Sequence, residues 1–92
     1  MKFYYNGKKV RESKNHEYKY GLLYMGEVIK CSKTKTALMA EIERKKKIEY
    51  GSSGNVAWMK SQNYPQAEIE EEERKRDERI TSLKIVELEA VE

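Results

Sequence analysis

Two side chains in this sequence have the chemistry for nucleophilic catalysis, the thiol of Cys31 and the imidazole of His16, and each is the only one of its type. A Cys–His pair needs an exposed thiol and a nearby base that holds it as the thiolate. Strand alternation puts Cys31 on an apolar face with Tyr20, Leu22 and Ile29, while His16 sits in the polar stretch Ser13–His16. The expected roles are therefore a small core residue and a solvated loop residue. A single cysteine also excludes an internal disulfide. Metal chemistry has as little to work with, since there is no Cys-x-x-Cys and no second histidine, the pattern that zinc sites use. Glu70, Glu71, Glu72 and Glu73 are consecutive and would radiate from a helix in different directions, whereas hard-cation loops space their oxygen ligands around a turn glycine. Gly51-Ser52-Ser53-Gly54 lacks the Gly-Lys-Ser/Thr ending of a phosphate loop. With Asp77 the one aspartate, the reading is a non-enzymatic protein that needs no metal and no cofactor.

Composition points to binding. The chain has 92 residues, 38% hydrophobic and 38% charged, and a domain of this size buries only roughly 60–70% of its unfolded surface. That is too little for a core and a large enclosed active site together. No apolar run approaches the roughly 20 residues of a membrane span, and Met1–Gly7 has no secretory pattern, so a soluble cytoplasmic protein without a membrane partner is expected. The net charge of +3 conceals a split. Positions 1–65 hold 14 basic and 6 acidic residues, a balance of +8, and positions 66–92 hold 5 and 10, a balance of −5. A basic segment of this kind suits nucleic acid, because Lys and Arg neutralise phosphates, and the seven tyrosines add rings that could stack on bases. Tyr18, Tyr20 and Tyr24 at two-residue spacing suit a strand's core face, with their hydroxyls at its rim. The candidate nucleic-acid-binding residues are Lys8, Lys9, Arg11, Lys19, Lys30, Lys33, Arg44, Lys45, Lys46 and Lys47. A second candidate surface contacts protein, with Trp58 and Met59 as apolar anchors and Glu70, Glu71, Glu72 and Glu73 as its charge.

These residues are positioned by elements that the sequence also signals. Asn6-Gly7 reads as a type I′ hairpin turn, whose register pairs Tyr5 with Lys8, Tyr4 with Lys9 and Phe3 with Val10. A second hairpin turns at Met25-Gly26 and pairs Leu23 with Val28, Leu22 with Ile29 and Tyr20 with Cys31. One face then collects Tyr18, Tyr20, Leu22, Tyr24, Ile29 and Cys31, and the other Lys19, Gly21, Leu23, Val28 and Lys30. Ser32 or Thr34 can cap a helix that runs to about Tyr50 and ends at Gly51. Gly51–Gly54 reads as a flexible loop, Asn55–Asn63 as a short apolar segment of undecided state, and Pro65 as the opening of a helix to about Arg79. Ile80–Val91 reads as a closing strand whose alternation slips at Ile85-Val86. No internal repeat is visible. The order implies a single α+β domain over 1–92, a small antiparallel sheet of two N-terminal hairpins and a C-terminal strand packed by one or two helices.

Two resemblances meet at these residues. Lys2–Lys14 followed by Tyr18-Lys19-Tyr20 resembles the opening of small uncharacterised proteins of phages and mobile elements of Gram-positive bacteria, which would place the chain in the host-cell cytoplasm. Tyr18–Lys47, a hairpin followed by a helix, resembles the arm-type DNA-binding domain of tyrosine recombinases. Those domains lay an exposed sheet face in the major groove, and the resemblance implies that Lys19, Lys30 and Lys33 occupy such positions. The chain differs in its added N-terminal hairpin and acidic C-terminal third. The resulting expectation is a non-enzymatic accessory protein that binds nucleic acid, or a nucleic-acid-bearing complex, through a basic sheet face and helix end. The alternative is a module that inhibits a host defence factor through the acidic helix and Trp58.

Overall fold

Two turns with positive φ at both central residues organise the N-terminal third, Asn6-Gly7 (53° and 79°) and Met25-Gly26 (51° and 85°), the backbone that matches the twist of paired strands. In the computed structural model, which describes all 92 residues, they join β1 (Lys2–Tyr5) to β2 (Lys8–Glu12) and β3 (Tyr20–Tyr24) to β4 (Glu27–Ser32). Methionine is strained at positive φ, and Met25 is held there by its backbone N–H, which donates to Ser82 Oγ at 3.0 Å. Then follow α1 (Lys35–Tyr50), α2 (Asn55–Ser61), α3 (Gln66–Thr81), β5 (Lys84–Glu87) and β6 (Glu89–Val91). Thr34 Oγ1 caps α1 by accepting from Ala37 N. No helix is long and apolar enough to cross a membrane.

The α+β class holds, and each hairpin has a sheet of its own. The orders are β2-β1-β6 and β4-β3-β5, antiparallel throughout. The closing segment thus serves both sheets, β5 beside β3 and β6 beside β1, and it breaks at Leu88 rather than at Ile85-Val86. Leu88 N–H still donates to Lys19 O at 2.9 Å. Its side chain covers Gly21, where an added Cβ would stand 3.0 Å from Leu88 Cδ2 and from Val28 Cγ1. Ile80 and Thr81 belong to α3, not to the strand.

Both hairpins carry a bulge that the sequence register did not include. Tyr4 faces Lys9 but Phe3 faces Arg11, leaving Val10 as the extra residue. Likewise Leu23 faces Val28 but Leu22 faces Lys30, leaving Ile29 as the extra one, 45% exposed. An extra residue shifts every later side chain to the other face. Lys30 therefore joins the Leu22 face, and Cys31, opposite Gly21, leaves it. The two hairpins are also a structural repeat at constant offset, with Phe3 and Leu22, Gly7 and Gly26, and bulged Val10 and Ile29 in equivalent places.

Few side chains are buried, and they lie in three places. Phe3 is enclosed in the first sheet, its ring edge-on to Tyr18 at 5.3 Å. Leu22 on the second sheet and Leu38 on α1 are also fully buried, and α1 packs on β3, β4 and β5. Val56, Met59 and Ile69 join α2 to α3. The molecule is correspondingly long, 53 × 22 × 17 Å with a radius of gyration of 16.5 Å, against about 12 Å for a compact chain of this length.

Candidate nucleic-acid interface

Three tyrosines of the N-terminal part lie against cations of that same part, and a fourth lies under a cation of α3. Lys35 and Lys45 of α1 place their ammonium groups 5.4 Å from the rings of Tyr20 and Tyr24, and Arg11 lies 5.2 Å from Tyr18. Arg76 of α3 covers Tyr50 of α1 at 4.2 Å. Such pairs arise about once per 70–80 residues in proteins generally, so four in this chain show where the unusual Lys and Tyr content goes. It fastens α1 to the second sheet and α3 to α1. Lys30 also turns toward α1, where it meets Glu41 at 3.5 Å. It does not share an open sheet face with Lys19, because the bulge at Ile29 reverses its direction.

Further cations of the basic part have carboxylate partners: Lys9 with Glu12, Arg44 with Glu41, Lys46 with Glu43 and Lys60 with Glu73. The guanidinium of Arg44, hydrogen-bonded to Glu41, holds that carboxyl below its usual range. The run Arg44–Lys47 is accordingly not one patch. Arg44 and Lys46 are ion-paired within α1, Lys45 lies over Tyr24, and Lys47 on the last turn has neither kind of partner. Within positions 1–65, six exposed lysines remain without carboxylate or ring: Lys2, Lys8, Lys14, Lys19, Lys33 and Lys47. Lys14 and Lys33 line one open cleft of about 610 Å³ with the N-terminal residue, His16, Glu17 and Glu92. Lys19 does not line it, though its backbone N–H donates to Ser32 O, next to Lys33, at 3.0 Å. Lys14 was outside the sequence-based set. The chain fold gathers it with Lys33, and no spacing in the sequence signals that meeting.

The acidic helix does not cover these lysines. Arg74 bridges Glu71 and Glu78 within α3, and Arg79 holds Glu72 at 3.1 Å and Glu49 of α1 at 2.9 Å. Burial raises the Glu72 carboxyl, but hydrogen bonds from Asn55 and Arg79 outweigh it and the net shift is downward. Tyr50 Oη donates to Asp77 Oδ1 at 2.7 Å, which draws the Asp77 carboxyl below its usual range. The ion pairs that cross between positions 1–65 and 66–92 are Lys60–Glu73 and Glu49–Arg79, so the two charged parts remain largely unneutralised by each other.

The other candidate residues are placed as follows. Cys31 is half-buried, and burial pushes its thiol up against the pull of nearby Arg11, the opposite of activation. No hydrogen bond links it to His16, whose ring lies 6.0 Å from Tyr18. No group of three or more His, Cys, Asp or Glu residues could hold a metal ion. Trp58 and Met59, adjacent in sequence, separate on α2. Met59 is buried against Val56 and Ile69, while Trp58 is 51% exposed beside Tyr64, ring centroids 5.5 Å apart. Glu70 and Glu71 are exposed, whereas Glu72 and Glu73 are half-buried toward Arg79 and Lys60.

Comparison with protein-family models, with curated proteins and with solved structures finds no match.

Proposed function

We propose that this chain is a non-enzymatic nucleic-acid-binding protein, an accessory factor of phage or mobile-element type. It holds the phosphate backbone through the lysines that the fold leaves without partners. The observation that carries this reading is the survival of charge separation in the folded chain. Six unpartnered lysines stand in the basic part, while α3's arginines engage its own acids. The contacts are lysine contacts to phosphate, which carry affinity without reading sequence. They also displace condensed counterions, so binding falls steeply with salt. With four of the lysines on phosphates, affinity is expected to fall about a hundredfold between roughly 50 and 200 mM salt. Replacing Lys14 and Lys33 together by glutamate should flatten that slope by about two. Fluorescence anisotropy with a labelled oligonucleotide across a salt series measures both. Failure to bind any nucleic acid at low salt sinks the proposal.

A second reading has one observation in its favour, the exposed Trp58–Tyr64 pair, whose Tyr64 lines a shallow groove with the exposed Glu68 and Glu71 of α3. A half-exposed tryptophan beside an acidic surface suits a basic protein partner, with Trp58 as its central anchor. A partner retained from nuclease-treated host lysate by the wild type and lost with Trp58→Ala supports this reading. Equal retention by both counts against it.

A further inference from the structure

We infer that the cleft between the two hairpin tips takes one unpaired nucleotide, its base laid on Tyr5 and its phosphate held by Lys8, so that the chain prefers single-stranded to double-stranded nucleic acid. This rests on the nucleic-acid reading above and gives it a site and a strand preference. The cleft has a volume of about 360 Å³ and is lined by Tyr5, Lys8, Lys9 and Val10 of the first hairpin and by Glu27 and Val28 of the second. Ligand pockets run from roughly 300 to 1,000 Å³, so this one, at the small end, has room for one nucleotide and not for a stacked pair. Its chemistry is divided as a nucleotide's is. Val10, Val28 and the Tyr5 ring offer apolar surface to the flat face of a base. Lys8 supplies a cation for the phosphate, and the Glu27 carboxylate an acceptor for an exocyclic amine.

Tyr5 and Lys8 are singled out by elimination. Tyr18, Tyr20, Tyr24 and Tyr50 already lie under cations, and Tyr64 lies against Trp58. Of the remaining Tyr4 and Tyr5, only Tyr5 lines the cleft. Lys9 is held by Glu12, whereas Lys8 has no carboxylate partner. Tyr5 and Lys8 face each other across the end of the β1–β2 ladder, which puts ring and ammonium on the same side of the hairpin. A duplex keeps its bases stacked inside and cannot place one in a cleft of this size, whereas a single strand can stack its bases on protein rings.

The test compares a 12-nucleotide single-stranded DNA with its duplex by fluorescence anisotropy at low salt. The single strand should bind about tenfold tighter, and Tyr5→Ala should remove that advantage, the change expected for one stacked base. Tyr5→Phe, which keeps the ring, and Tyr4→Ala, outside the cleft, should both bind near the wild-type level. An NMR titration of the wild type with a dinucleotide should move the Tyr5, Val10 and Val28 amide signals before others, and this does not depend on any variant folding. Duplex binding as tight as single-strand binding, or dinucleotide shifts confined to other residues, overturns the cleft and leaves backbone binding standing. No binding of either form overturns both.

Discussion

Replacing Phe3 by alanine should remove about 4 kcal/mol of folding stability, within the roughly 3–5 kcal/mol typical of a buried Phe→Ala change. Phe3 is fully enclosed, so its truncation leaves a cavity unless the surrounding groups shift. Tyr18 meets it edge-on and is itself held under Arg11, while the backbone on either side is fixed by pairing with Arg11 and Ala90. The consequence is large because the core is thin. A chain of this length carries ~5–9 kcal/mol at ~0.05–0.1 kcal/mol per residue, and here only Phe3, Leu22 and Leu38 among the large side chains are fully buried. Urea denaturation followed by circular dichroism should show a midpoint at roughly one fifth to just over half of the wild-type value, since the midpoint scales with stability at constant slope. Tyr18→Ala, at a half-buried position, should cost less. A loss below about 1.5 kcal/mol for Phe3→Ala, under half the expected cost, would mean that the first sheet does not depend on this side chain.

What could be read from the sequence was what local chemistry dictates. Both turns announce themselves by a glycine where φ is positive, and the α1 cap by Thr34 three residues before Ala37. What could not be read depends on one residue more or less. The hairpin patterns around Val10 and Ile29 alternate acceptably with or without a bulge, and the folded chain has one in each, beside the buried Phe3 and Leu22. The extra residue at Ile29 sends Lys30 to Glu41 and takes Cys31 off the Leu22 face, which dissolves the expected basic sheet face. The repeat was hidden for a related reason. Its two copies share backbone geometry, with Phe3 answering to Leu22 and Lys8 to Glu27, and the sequence similarity is slight. At the candidate interface the lysines were legible as residue types. Which were free was not, because cation–ring pairs such as Lys45 on Tyr24 join residues distant in sequence.

The Gly51–Gly54 stretch sharpens the same distinction, because flexibility is what its composition suggests and close packing is what it provides. Gly54 is buried at the start of α2, and its N–H donates to Gly51 O at 3.1 Å. An added Cβ would stand 2.9 Å from the carbonyl oxygen of Ile48 and closer still to that of Glu49. These are backbone atoms of the last turn of α1 and cannot swing aside as a side chain would. The φ of −74° is open to any residue, so the requirement for glycine is one of space and not of backbone conformation. Gly54→Ala should therefore cost about 3 kcal/mol, at the upper end of the overpacking range, by forcing α1 and α2 apart. The damage should be directional. Glu49 and Tyr50, which carry the Arg79 and Asp77 contacts to α3, sit on the displaced turn. Hydrogen exchange in α2 and α3 should accelerate more than in β1 and β2, whose contacts do not pass through this corner. Ser53→Ala, one residue earlier at an exposed site, should change stability by less than about 0.5 kcal/mol. A fully stable Gly54→Ala variant would show that the two helices can separate without cost, and the close approach of α2 to the end of α1 would then not be what holds the helical end of the molecule together.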